Sequence, residues 1–185
     1  MCIRDSSRSV SGWLAEPVDN TPLLLFRAAF GLLLFLEGVG AVATGWVREV
    51  YVDPEYTFPH IGFGWLRCLS GPGMYAYYAL MSVPGFLVMV GARFHAAVAA
   101  YGVMWTAVYL GQTTSYNNHY YLMVLLCLLF WTTPANADFS VDAQRGRVDR
   151  SATCPRWCIA IFVALLAIVY FYAAVAKLDA DWLAA

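Results

Sequence analysis

A histidine and a lysine are the residues of this sequence whose types could support acid–base chemistry. His119 follows two asparagines in the segment TTSYNNHYYL (residues 113–122), and Lys177, the only lysine, directly follows the apolar run IVYFYAAVA (168–176). A neutral imidazole can donate or accept a hydrogen bond, and a neutral amine can take up a proton. The chemistry indicated is hydrogen bonding to a ligand by His119, while the chemistry open to Lys177 depends on its charge state.

The neighbours of His119 make it a candidate. Asparagine is a favoured N-cap, so Asn117 and Asn118 can cap a helix and leave His119 in its first turn. The positive end of the helix dipole favours the neutral imidazole there. The alternative is that His119 is an ordinary residue of the membrane interface.

Lys177 also has two interpretations. As a membrane anchor, it would lay its stem on lipid and hold its ammonium among the headgroups. In the other interpretation its amine points into the protein, where desolvation favours the neutral form while Asp179 and Asp181 favour the charged form. The sequence leaves its charge state open.

Three further polar residues interrupt apolar or aromatic stretches. Glu37 lies inside the first apolar run, and a carboxylate within a membrane is a candidate functional group unless it has a structural partner. Arg27 is about 15 Å away along the helix axis, too far for a pair, and is expected to reach the interface by snorkelling. His60 lies in the Gly- and aromatic-rich loop DPEYTFPHIGFGW (53–65), where it could be only a surface residue.

The composition indicates an integral membrane protein. Of 185 residues, 61% are hydrophobic and 12% charged, and the mean hydropathy is +0.61. A net charge of -1 offers no basic surface for nucleic acid. The five cysteines form no C-x-x-C pair, so we expect neither a structural disulfide nor a metal site. The sequence also lacks the motifs of common hydrolases and nucleotide triphosphatases.

The elements that must position these residues are apolar segments close to the roughly 20 residues that a membrane-spanning helix needs. The sequence predicts an all-α, polytopic membrane helix bundle with about five transmembrane helices. The fourth is short for a full crossing, and the proline of the fifth suits the first helical turn. The predicted spans are Pro22–Thr44, Met74–Gly91, His95–Gly111, His119–Thr133 and Pro155–Lys177.

The arginines predict the orientation of the bundle. Grouping the N-terminus with the Arg93 turn and the loop 138–156 gives that side seven arginines, whereas the loops of the other side hold two, Arg48 and Arg67. By the positive-inside rule the N-terminus is cytoplasmic. Residues 1–21 would form a cytoplasmic tail and 22–185 the transmembrane domain. The cytoplasmic loops read as ordinary charged connectors, and the unusual polar segments gather on the non-cytoplasmic face.

The chain resembles the vitamin K-dependent gamma-glutamyl carboxylases and their bacterial relatives with the horizontally transferred transmembrane (HTTM) domain. The resemblance begins at about Leu23 and covers most of the chain. It rests on stretches that occur in the family's order: FRAAFGLLLFLE, FPHIGFGWL, TTSYNNHYYL, PANADFSVDA, PRW and IVYFYAAVAKLDADWL.

The resemblance implies a site and a reaction. Lys177, directly before LDADW, would be the base that deprotonates reduced vitamin K or another quinol, and His119 would support it by hydrogen bonding. The enzyme, a carboxylase-like lyase, would couple quinol epoxidation by O₂ to the addition of CO₂ to glutamate in a protein or peptide, without a metal. The other residues implied in quinol binding are Asn117, Asn118, Tyr116 and Tyr120, with Glu37 and His60 as further candidates.

The chain also departs from the family. Family members continue with further spans and a β-rich domain, so the 185 residues are expected to be an N-terminal fragment, and Ala176 replaces a lysine found in one family pattern. The alternatives are a non-catalytic membrane module or a transporter-like ligand-binding bundle. A transporter would call for two matching broken helices, and only Pro84-Gly85 in the second span suggests one.

Overall fold

A computed structural model describes residues 10–68, 70–114 and 117–178 of the chain. Five apolar helices make up most of it, joined by short elements. In chain order the elements are α1 (Val10–Ala15), β1 (Pro17–Asp19), α2 (Thr21–Ala43), a π-helical turn (Arg48–Val52), a 3₁₀ turn (Gly64–Cys68), α3 (Gly73–Val90), α4 (Phe94–Gly111), α5 (Asn118–Trp131), α6 (Val141–Gln144), β2 (Thr153–Pro155) and α7 (Trp157–Ala176).

The predicted all-α membrane bundle is confirmed. Four helices, α2, α3, α4 and α7, are long and apolar enough to cross a membrane. The fifth, α5, has 14 residues, which corresponds to about 21 Å of helix against a hydrocarbon core of about 30 Å. The sequence had indicated this short fourth span, and the structure shows that polar residues at both of its ends limit it.

A small β-ribbon joins the segment before α2 to the segment before α7. β1 pairs with β2 in antiparallel register, with Val18 opposite Cys154 and Pro17 opposite Pro155. The prediction that Pro155 lies in the first turn of the last span is therefore wrong, because this residue belongs to the extended strand and α7 begins at Trp157.

The connections divide the bundle into two ends. The ribbon end carries the β-ribbon, the turn 91–93 and the loop 132–156. The motif end carries the described residues 44–68, 70–72, 112–114 and 117 together with the end of α7. Helices α2, α4 and α7 run from the ribbon end to the motif end, and α3 and α5 run back. The unusual polar segments thus share one end of the bundle. That this end is the non-cytoplasmic one stays a prediction.

Helices α2 and α3 make the closest contact in the bundle, and glycines allow it. A Cβ added to Gly31 would lie 2.2 Å from the backbone nitrogen of Met89, and one added to Gly85 would lie 2.8 Å from that of Phe35. Small residues at such positions let membrane helices approach closely.

Phenylalanines join α7 to α2 and α5 near the ribbon end. The Phe162 ring lies 5.2 Å from Phe26 and 4.7 Å from Phe130, measured between ring centroids. Beyond this contact α7 leaves the bundle's core, and residues 166–178 are exposed.

Arg27 does not snorkel, so that expectation is wrong. Its side chain is 2% exposed and donates hydrogen bonds to the carbonyl oxygens of Val88 (2.9 Å), Met89 (2.7 Å) and Phe139 (2.9 Å). The guanidinium stays buried because these carbonyl groups, at the end of α3 and in the loop after α5, replace water as acceptors.

The loop 132–156 is not the ordinary charged connector that the sequence predicts. The Asp142 carboxylate, 3% exposed, accepts hydrogen bonds from the backbone N–H groups of Arg93 and Phe94 and from the side chains of Asn136 and Arg147. Burial raises the pKa of Asp142, but these four donors outweigh it and the net pKa is lowered. The loop is thereby fixed to the α3–α4 turn.

Candidate functional site

The start of α5 fixes the geometry of His119. Asn117 is the N-cap, as predicted, and its Oδ1 accepts a hydrogen bond from the backbone N–H of His119 at 3.0 Å. The same oxygen contacts Nδ1 of the His119 ring. Because Oδ1 can only accept, Nδ1 carries the hydrogen, and in the neutral imidazole Nε2 is left as an acceptor. The exposed ring therefore presents Nε2 at the motif end.

The loop 53–65 is attached to the end of α4, beside the start of α5. The buried side chain of Gln112 accepts a hydrogen bond from Phe58 N–H at 2.9 Å and donates one to the Val50 carbonyl at 3.2 Å. Thr113 N–H donates to the Phe58 carbonyl at 2.7 Å. Sequence reasoning missed Gln112, although an amide directly after an apolar helix was a signal that could have found it.

His60 is held by the same attachment. Its backbone N–H donates to the Leu110 carbonyl at 2.9 Å, and its Nδ1 lies 3.4 Å from Thr113 Oγ1. Its half-buried ring packs on Tyr109 at 5.3 Å. His60 is therefore more than a free surface residue: it fixes the loop to α4.

A layer of aromatic rings lies inside the bundle at the motif end. Trp46 contacts Tyr51, Tyr78 and Tyr120 at centroid distances of 5.7, 5.9 and 6.3 Å. Trp105 contacts Tyr120 at 5.1 Å and donates its indole N–H to the Tyr120 carbonyl. Burial raises the pKa of Tyr51 above its usual value, so its phenol stays neutral. This layer connects the segment that follows α2 with α3, α4 and α5.

A cavity of about 270 Å³ opens between α2 and α5 next to the aromatic layer. Glu37 is half-buried in it, and within residues 10–68, 70–114 and 117–178 no hydrogen bond to its carboxylate is formed. Arg27, the other charged residue of α2, forms its hydrogen bonds at the ribbon end. The lining residues are Leu36, Glu37, Gly40, Ala41, Thr44, Trp46 and Tyr120.

Comparison with known proteins identifies the family of this chain. The HTTM domain matches residues 15–185. This chain belongs to the HTTM domain family. HTTM domains occur in proteins related to vitamin K-dependent carboxylases, and no solved structure matches the chain. The resemblance noted in the sequence is thus confirmed at the level of the domain.

The HTTM domain brings some of the predicted site residues together and leaves others apart. Glu37 and Tyr120 share the cavity, while His119, Asn117 and Asn118 are exposed at the adjoining helix start. Lys177 is also exposed, so the structure does not enclose it in a pocket with His119. Tyr116 lies outside the described residues. The part of the chain that is described holds no group of three His, Cys, Asp or Glu side chains suited to a metal ion.

Proposed function

We propose that this HTTM domain is the membrane part of a carboxylase-like enzyme that oxidises a quinol at its motif end. In the overall reaction a quinol and O₂ give the quinone epoxide and water. The energy released drives the breaking of a γ-C–H bond of glutamate, whose proton is released, and the carbon then bonds to CO₂. Reduced vitamin K or another quinol would be the co-substrate, and a glutamate-containing protein or peptide the acceptor.

The observation that carries the proposal is the fixed His119–Asn117 pair. A quinol hydroxyl is a hydrogen-bond donor, and Nε2 of a neutral His119 is an acceptor that Asn117 orients. The aromatic side chains around Tyr120 suit a flat ring beside it. The residues present therefore fit a quinol.

Lys177 would be the proton acceptor. A neutral amine takes the hydroxyl proton: the O–H bond breaks, an N–H bond forms, and the electron pair stays on the quinol oxygen. General-base catalysis of this kind contributes roughly 10²–10⁴-fold to a rate. Lys177 is exposed at the end of α7, so the proposal requires the unpacked half of this helix to approach α5 when the quinol is bound.

The test is epoxide formation by two variants in membranes. Lys177→Ala should lose epoxide formation by at least about 10²-fold because no base remains, and Lys177→Arg should fail as well because a guanidinium stays protonated. Both should insert into the membrane and fold like the wild type.

The exposed Arg67, also at the motif end, supplies the control. Arg67→Ala removes a positive charge there and should keep full activity. If Lys177 were only a membrane anchor, arginine would be tolerated and alanine would reduce insertion. Wild-type turnover of Lys177→Arg would overturn the assignment of Lys177 as the base, and absence of epoxide formation by the wild type would favour a non-catalytic membrane module.

A further inference from the structure

We propose that the head of the quinol binds in the cavity between α2 and α5, and that the Glu37 carboxylate accepts a hydrogen bond from one of its hydroxyl groups. The inference rests on the proposed function, since it names the place and the polar contact of the same substrate. It adds Glu37 on α2 to the predicted Lys177 and His119, as a third residue that positions the quinol.

The first argument is the unsatisfied carboxylate. Glu37 is half-buried in a membrane-spanning helix, and no residue in the described part of the chain donates a hydrogen bond to it. Burying a carboxylate without a donor is unfavourable, and ionisable residues inside membranes usually serve ligands or partners. A quinol hydroxyl supplies the missing donor.

The second argument is the shape and lining of the cavity. Trp46 and Tyr120 place aromatic rings at its wall, and the carboxylate is its one charged group. Its volume of about 270 Å³ is slightly below the range of typical ligand pockets, which measure roughly 300–1,000 Å³. It therefore suits a ring system of one or two rings, with the apolar tail left outside.

The third argument is the height of the groups along the bundle. Phe162 of α7 packs between Phe26 and Phe130. Glu37 is about 16 Å beyond Phe26 on α2, and Tyr120 is about 15 Å beyond Phe130 on α5, at 1.5 Å per residue. The two cavity residues therefore lie at the same level, nearer the motif end than the contact between the three phenylalanines.

The distance of Lys177 from the phenylalanine contact can be compared in the same way. It is about 22 Å beyond Phe162 along α7, roughly one helical turn above the level of Glu37. A quinol whose one hydroxyl is held by Glu37 can therefore present its other hydroxyl to the motif end, where His119 accepts its hydrogen bond until Lys177 takes the proton. Glu37 orients the ring, and the proton passes to Lys177.

The test measures binding separately from turnover. The protein in lipid nanodiscs is titrated without oxygen with a short-tailed menaquinol, and the dissociation constant is read from quenching of tryptophan fluorescence. Glu37→Leu should raise the dissociation constant at least about tenfold, and Glu37→Gln, which keeps a neutral acceptor, should give a smaller increase. Glu49→Gln, an exposed acidic residue at the same end, should bind like the wild type.

Thermal unfolding of the same variants separates ligand binding from a structural role. Because Glu37 has no donor within the described protein, Glu37→Leu should unfold at the wild-type temperature or higher. A marked loss of stability would show a structural partner and overturn the inference. Unchanged affinity in both Glu37 variants would overturn it while leaving the proposed function intact, and absence of menaquinol binding by the wild type would overturn both.

Discussion

The Nη2 atom of Arg27 lies 2.9 Å from the carbonyl oxygen of Phe139, a residue 112 positions later in the chain. This hydrogen bond ties the first membrane helix to the loop that follows the fourth predicted span. With the bonds to Val88 and Met89, it fixes α2 relative to α3. Since Glu37 lies on α2 about 15 Å from Arg27, the position of the candidate cavity depends on this buried guanidinium.

Asp142 should contribute strongly to stability. Asp142→Ala removes the acceptor of four hydrogen bonds and should lower the free energy of unfolding by about 2–4 kcal/mol. Asp149 is exposed in the same loop, and Asp149→Ala should have almost no effect. Thermal or denaturant unfolding in detergent measures both, and equal stabilities would contradict the described loop structure.

The lowered pKa of Asp142 predicts a pH dependence. An unfolded aspartate has a pKa of about 3.9, so the contribution of Asp142 is fully present above that pH and is lost as the pH falls through its lower folded pKa. Wild-type stability should therefore fall below about pH 4. Asp142→Asn removes this titration, and its stability should fall less over the same pH range when both are followed by thermal unfolding.

Gly91 offers a test of packing at the same end. Gly91 and Gly146 have φ angles of 67° and 64°, so alanine is strained at both by about 1–2 kcal/mol. At Gly91 the new Cβ would also lie 2.5 Å from Ser140 Cβ and 2.7 Å from Arg27 Nη1, whereas nothing lies within 4 Å at Gly146. Gly91→Ala should be about 1–3 kcal/mol more destabilising than Gly146→Ala. Equal losses would place the α3–α4 turn away from Arg27.

Local signals explain which features could be predicted from the sequence. The apolar runs are long enough to identify the helices, and the cap of α5 involves Asn117 and His119, two residues apart. The buried roles of Arg27 and Asp142 could not be predicted, because several of their partners are backbone groups, which no sequence pattern displays. The β-ribbon was missed because its three-residue strands are separated by more than one hundred residues.

The candidate site could be predicted only in part for the same reason. The sequence indicated His119, Tyr120 and Glu37 individually, but the shared cavity of Tyr120 and Glu37 depends on how α2 and α5 pack. Gln112 contacts residues 54 and 62 positions away, so its role follows from the folded loop alone.

Gln112 should control the order of the loop 53–65. Gln112→Ala removes the acceptor for Phe58 N–H and the donor to the Val50 carbonyl, so the loop 53–65 should open more readily. Hydrogen exchange of residues 56–61 should accelerate by about tenfold, as for a local loss of roughly 1.4 kcal/mol. Gln144 is exposed, and Gln144→Ala should leave this exchange unchanged. An unchanged rate for Gln112→Ala would contradict its anchoring role.

The orientation of the bundle can be tested with introduced cysteines. Thr114 is exposed at the motif end, and Asp149 is exposed at the ribbon end. The native Cys154 is a poor reporter, since it is 2% exposed and burial raises the pKa of its thiol, which lowers the reactive thiolate fraction. Cys127 and Cys158 are also buried and can remain, while Cys2 and Cys68 are replaced by serine.

In this background the arginine count predicts that an impermeant maleimide labels Thr114→Cys on intact cells. Asp149→Cys should be labelled only after the membrane is permeabilised, which also shows that its thiol is reactive. The exclusion follows because seven arginines of the sequence are assigned to its side and two to the other. The opposite pattern would place Glu37, His119 and Lys177 nearer the cytoplasmic face, and the quinol would then have to be supplied and oxidised on that side of the membrane.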